Sequence, residues 1–153
     1  MIPLQQIHPM MVHFPIVFGL TLAAFDLLAL FLGRSIGGRG AMANVSVSIA
    51  TLAGLSAIVA AIFGDMALDI AIANNGPVAA LEFHANLGIA TATVLAIWAA
   101  IRLFIRWRTM ALSRQRSIAI VAVEILFCAL ILTTAYYGGE LVFAHGVAVA
   151  TNG

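Results

Sequence analysis

Four apolar runs leave this chain little choice of fold: Met11 to Leu32, Val45 to Ile72, Leu87 to Ile105 and Ile118 to Tyr137. Each is close to the roughly 20 residues that an α-helix needs to cross a bilayer core. In hydrocarbon the backbone must satisfy its own hydrogen bonds, and a run of this length does so as a helix. The expected fold is therefore all-α: an integral membrane four-helix bundle, one domain over 1–153, with helices near 9–33, 43–73, 79–107 and 115–138. Composition agrees, since 63% of residues are hydrophobic and 8% charged, against the roughly 25% charged residues of soluble domains. The partner this demands is the lipid bilayer.

The connectors carry turn residues: Gly33, Gly37, Gly38 and Gly40, then Asn74-Asn75-Gly76-Pro77, then Arg106 to Arg116, and Gly138-Gly139 after the fourth run. The first run lacks the positive start of a cleaved signal peptide. Its cations, Arg34 and Arg39, come after the apolar stretch, so the run is expected to stay in the mature protein.

Charge narrows both function and orientation. There is no lysine and the net charge is +1, which offers nucleic acid no phosphate-binding surface. The seven arginines fall in two places, Arg34 and Arg39, and Arg102, Arg106, Arg108, Arg114 and Arg116. Positive charge at span ends stays cytoplasmic, so both termini are expected on the periplasmic side of a bacterial inner membrane. The single cysteine, Cys128, lies in an apolar run as a small hydrophobe.

This topology gathers polar residues into one outer layer. His8 and His13 open the first helix, Asp65 and Asp69 approach the end of the second, Glu82 and His84 open the third, and Glu140 and His145 follow the fourth. A histidine at an interface also hydrogen-bonds headgroups or caps helices. His13, between Val12 and Phe14, and Asp65, beside Gly64, are harder to read that way, because a polar group in an apolar frame is costly. A carboxylate there also suits the task of orienting a ligand histidine. In the inner halves, Asp26 and Glu124 are expected to pair with Arg102 or Arg106, with an inward proton lead as the other reading. Met10, Met11 and Met66 lie in the histidine layer as filler or as thioether ligands.

The segment Ile7-His8-Pro9-Met10-Met11-Val12-His13-Phe14-Pro15-Ile16, the Gly64-Asp65 pair, His84-Ala85-Asn86-Leu87-Gly88 and the closing Gly138-Gly139-Glu140-Leu141-Val142-Phe143-Ala144-His145-Gly146-Val147 together resemble the bacterial membrane family catalogued as domain of unknown function 2231. The resemblance spans nearly the whole chain and implies four helices bearing this set of histidines and acids. The resemblance further implies that related domains occur beside Rieske iron–sulfur or cytochrome c domains in longer chains. That company implies electron transfer, here with a separate periplasmic cytochrome c or Rieske-type protein.

Imidazoles projecting from different helices of a bundle are a recurring way to hold a cofactor. The favoured expectation is haem b clamped by His13 and His84, with His8 and His145 as a second pair or as groups near propionates. Gly19, Gly54, Gly64 and Gly88 would leave it room, although such residues also serve close helix packing. The alternative is a mono- or dinuclear copper, iron or zinc site drawn from His8, His13, Asp65, His84, Glu140 and His145. A third reading is a proton-coupled transporter or assembly subunit, expected to show a polar track from Asp65 to Asp26 and to need a homo-oligomer. Ser46, Ser48 and Ser56 read as helix-contact groups, and no hydrolase or kinase signature is present.

Overall fold

A computed structural model of the chain describes residues 4–147, all helices and short connections with no strand among the described residues. The helices are α1 (Leu4–Met11), α2 (His13–Phe31), α3 (Ala41–Ala73), α4 (Val78–Trp107) and α5 (Arg114–Phe143). α1 and α2 form one span interrupted at Val12, so four helical spans are long and apolar enough to cross a membrane. The interruption has a local cause. Pro15 has no N–H to give the Met11 carbonyl and its ring crowds that turn, so the helix breaks just before it.

Turn chemistry ends the elements where the glycines and asparagines predict. After α2 the Arg34 N–H reaches back to the Ala29 carbonyl at 2.8 Å, a helix-ending loop that needs a left-handed residue at Gly33, which has φ +65°. After α3 that conformation falls on Asn75, φ 60°, with the Gly76 N–H on the Ala71 carbonyl at 2.9 Å. Gly138 and Gly139 behave differently. They lie inside α5, which runs on to Phe143.

Helices adjacent in sequence pack side by side, α2 on α3, α3 on α4 and α4 on α5, and α5 closes the ring on α2; α1 lies on α3. The α3–α4 seam is the most extensive and is built from small residues. Ala43, Ala50, Ala53, Ala57 and Ala60 are buried along α3, and a Cβ at Gly54 would stand 2.7 Å from the Ala99 Cβ and 3.1 Å from the Leu95 carbonyl oxygen. Within a bilayer such backbone approach replaces the hydrophobic drive that lipid removes. The opposite surfaces carry exposed large side chains such as Phe31, Leu126 and Phe143, as a lipid-facing bundle requires.

Diagonally opposed helices do not meet through their backbones; α2 and α4 meet through charge. Arg102 of α4 donates from one nitrogen, Nη1, to Asp26 Oδ2 of α2 at 2.7 Å and to Glu124 Oε1 of α5 at 2.8 Å. Its Nη2 donates to Ser46 Oγ of α3 and to the Ile36 carbonyl. Ser46 passes its own hydroxyl hydrogen to Asp26 Oδ2 at 2.8 Å, and Trp98 Nε1 donates to Glu124 Oε1 at 3.1 Å. Asp26, Ser46, Arg102 and Glu124 are each no more than 2% exposed. Every span thus contributes to a single network, and of the two arginines expected to pair with Asp26 and Glu124 it is Arg102 that does so. Arg106 instead caps the rim through Asn44 Oδ1 at 2.8 Å. Above the network the two arginine-bearing connectors are joined, the Gly38 N–H donating to the Met110 carbonyl at 2.9 Å.

Candidate functional site

At the opposite end of the bundle, α1 and α4 bring two imidazoles together. The rings of His8 and His84 stand with centroids 6.1 Å apart and planes at 71°. Each is seated against a glycine of a third helix. A Cβ on Gly64 of α3 would lie 2.9 Å from His8 Cε1, and one on Gly138 of α5 would lie 2.8 Å from His84 Cε1. The helix-internal Gly138 is therefore a notch for a ring edge.

His8 is also oriented by a hydrogen bond: its Nδ1–H donates to the Ala60 carbonyl of α3 at 3.0 Å. Ala60 lies one turn before Gly64, so the residues that hold the ring are on one face of α3. With Nδ1 as the donor, Nε2 carries the lone pair. A ligand histidine is commonly fixed in this way, through its other nitrogen. His84 Nδ1 is buried and makes no hydrogen bond among the described residues. One and two turns along the same face of α4 come Gly88 and then Thr91, whose hydroxyl meets Thr134 of α5 at 2.8 Å. Around Gly88 there is space: a Cβ built there has nothing within 4 Å.

The other expected ligands lie apart from this pair. His13 is exposed and its Nδ1 meets the Pro9 carbonyl at 2.7 Å, one turn back along the broken first span. Asp65, Glu140 and His145 are exposed. Among the described residues, no three side chains of His, Cys, Asp or Glu come together as a metal-holding group. Asp65 and Asp69 are exposed on the last turns of α3, a helix of 33 residues and so about 50 Å long, more than a hydrocarbon core about 30 Å thick requires. Met10 and Met66 are exposed as well.

The glycines proposed to leave room divide. The space beside Gly19 is taken by Ile131, that beside Gly54 by Ala99 and that beside Gly64 by His8, leaving Gly88 open. Between the histidine pair and the arginine network lies a packed layer of Ala57, Ala92, Leu95 and Ile131, with Ile16 and Phe127 against it. That layer is apolar throughout, so the polar track from Asp65 to Asp26 expected of a transporter is interrupted by packed side chains. The parts of the site that sequence reading passed over are backbone and small groups: the Ala60 carbonyl, the Gly138 notch and the Thr91–Thr134 contact. The spacing Ala60 to Gly64 is their one visible signal, since small residues four apart open one face of a helix.

No curated protein and no solved structure matches this sequence. Residues 4–151 match the family model described as a predicted membrane protein, DUF2231, and the chain belongs to that family.

Proposed function

We propose that this membrane protein holds a b-type haem between His8 and His84 and passes electrons through it. The observation that carries the reading is the facing pair of imidazoles on different helices. The two ring centroids stand 6.1 Å apart, close enough that both imidazoles could ligate one iron. Two ligands suffice for haem, whereas a protein-bound zinc, copper or non-haem iron takes three or four. The observed grouping of two thus favours haem over the metal-ion alternative. Open space beside Gly88, one turn from His84, supports the fit.

When bound, haem supplies one-electron chemistry. The chain's own contribution is to orient the His8 ring through Ala60, to brace His84 against Gly138, and to wall the site from the arginine end with the apolar layer of Ala57, Leu95 and Ile131. The arginine distribution argues that the site opens to the periplasmic side of a bacterial inner membrane, where a soluble cytochrome c or Rieske-type protein would exchange electrons with it.

The test is the visible spectrum of the purified protein in mild detergent before and after dithionite, with elemental analysis on the same sample. A Soret band that shifts on reduction and is lost in both His8→Ala and His84→Ala is the expected result. Haem-free protein with stoichiometric copper, iron or zinc would replace haem by a metal ion. Protein with neither would sink the cofactor reading.

A further inference from the structure

The arginine network contains an imbalance that the haem reading does not use. One guanidinium faces two carboxylates, all three buried, and both carboxylates draw on the same nitrogen of Arg102. Each acid spends only one oxygen on that contact. The other two, Asp26 Oδ1 and Glu124 Oε2, are buried with no hydrogen-bond partner. The donors around them are already committed: Ser46 Oγ to Asp26 Oδ2, Trp98 Nε1 to Glu124 Oε1, and Arg102 Nη2 to Ser46 and Ile36. Among the described residues no further ion pair reaches the set. Arg106 is tied to Asn44 at the rim, and Cys128, one turn from Glu124, points its thiol at the Gly19 carbonyl.

With both acids ionised the network would carry a net negative charge inside a bilayer, where an uncompensated ion is expensive. It would also strand two acceptor oxygens. Asp26 Oδ2 and Glu124 Oε1 stand against the same Arg102 Nη1, at 2.7 and 2.8 Å, so the two carboxyls are neighbours and a single proton held between them remedies both faults.

We propose that one proton is resident between Asp26 and Glu124, making the four-helix junction an electrically neutral proton-binding site. Proton, acid pair and guanidinium then sum to zero charge, and the protonated carboxyl donates to its partner. Two carboxylates held close cannot both ionise cheaply and share a proton for that reason. Here Arg102 compensates the one that stays ionised. The two acids titrate as a pair, and the proton belongs to neither alone.

Infrared spectroscopy of the intact protein in lipid bilayers at neutral pH tests this directly. A carbonyl stretch of a protonated carboxyl should be present and should move to lower frequency in D2O. It should vanish in Asp26→Asn and equally in Glu124→Gln, because whichever acid remains then ionises against Arg102. The amides keep shape and hydrogen bonding, and the exposed Asp65→Asn serves as the unaffected control. If a variant fails to fold, the wild-type band and its isotope shift still decide whether a proton is held. Absence of the band from the wild type would overturn the proposal. So would a band that survives either replacement, since that marks a carboxyl protonated by burial alone.

Discussion

Replacing Arg102 by methionine should be the most damaging single change in the inner half of the bundle. The substitution keeps a long apolar stem and removes two charge-assisted contacts of 2.7 and 2.8 Å, together with the hydrogen bonds to Ser46 and Ile36. Removing one partner of a buried ion pair costs roughly 3–5 kcal/mol, because the surviving charge is left without compensation. For a chain of this size about 1 kcal/mol corresponds to roughly 2–4 °C in Tm, so a fall of about 10 °C is expected. The single cysteine provides the assay. Cys128 is half-buried, and a thiol-reactive fluorophore added to protein in detergent reports its exposure on heating. The same measurement orders the network: Ser46→Ala, which loses hydrogen bonds to Asp26 and Arg102 but leaves the charges paired, should cost only about 1–2 kcal/mol. Combining Arg102→Met with Asp26→Asn and Glu124→Gln should recover part of the loss, since no uncompensated charge then remains. An Arg102→Met protein melting within about 2 °C of the wild type, on the same size-to-Tm scaling, would refute the claim that this side chain ties the four spans together.

Two further changes separate packing from cofactor. Gly54→Val places its Cβ 2.7 Å from the Ala99 Cβ and 3.1 Å from a backbone oxygen, atoms that cannot step aside, so the α3–α4 seam should open at a cost of about 1–3 kcal/mol, read by the same thiol-exposure melt. Gly88→Leu fills space that is open in the structure and should leave the melt nearly unchanged while reducing bound haem per protein in the visible spectrum. Unchanged haem content in that variant would place the cofactor elsewhere.

The fold was legible because the bilayer imposes it. Length and apolarity alone define four spans, and Gly33 and Asn75 mark their ends through the left-handed conformations that helix termination requires. That Asp26 and Glu124 pair with an arginine of the third span was also readable, but the choice between Arg102 and Arg106 was not: Arg102 takes both acids and Arg106 bonds Asn44. Phase was not readable. Whether a side chain at the start of the first span faces the bundle depends on where the helix breaks, and Pro9 and Pro15 each offer a break. His13 has the more apolar neighbours in sequence, yet the break at Val12 leaves it exposed on the Pro9 carbonyl. His8, between Ile7 and Pro9 and two residues from polar Gln6, is the residue laid across α3.

The decisive contacts at the histidine end come from groups without chemistry of their own. Gly64 and Gly138 matter for what they lack, and the Ala60 carbonyl is available because a ring has room to approach it over Gly64. Composition cannot separate such glycines from those that merely admit a neighbouring helix, as Gly54 admits Ala99. The two uses differ only in what stands opposite, and that depends on the relative rotation of helices. A histidine opposite a helix-internal glycine is thus the structural signature that joins His8 and His84. It sets them apart from His13, exposed on a carbonyl of its own span, and from His145, exposed beyond the end of α5.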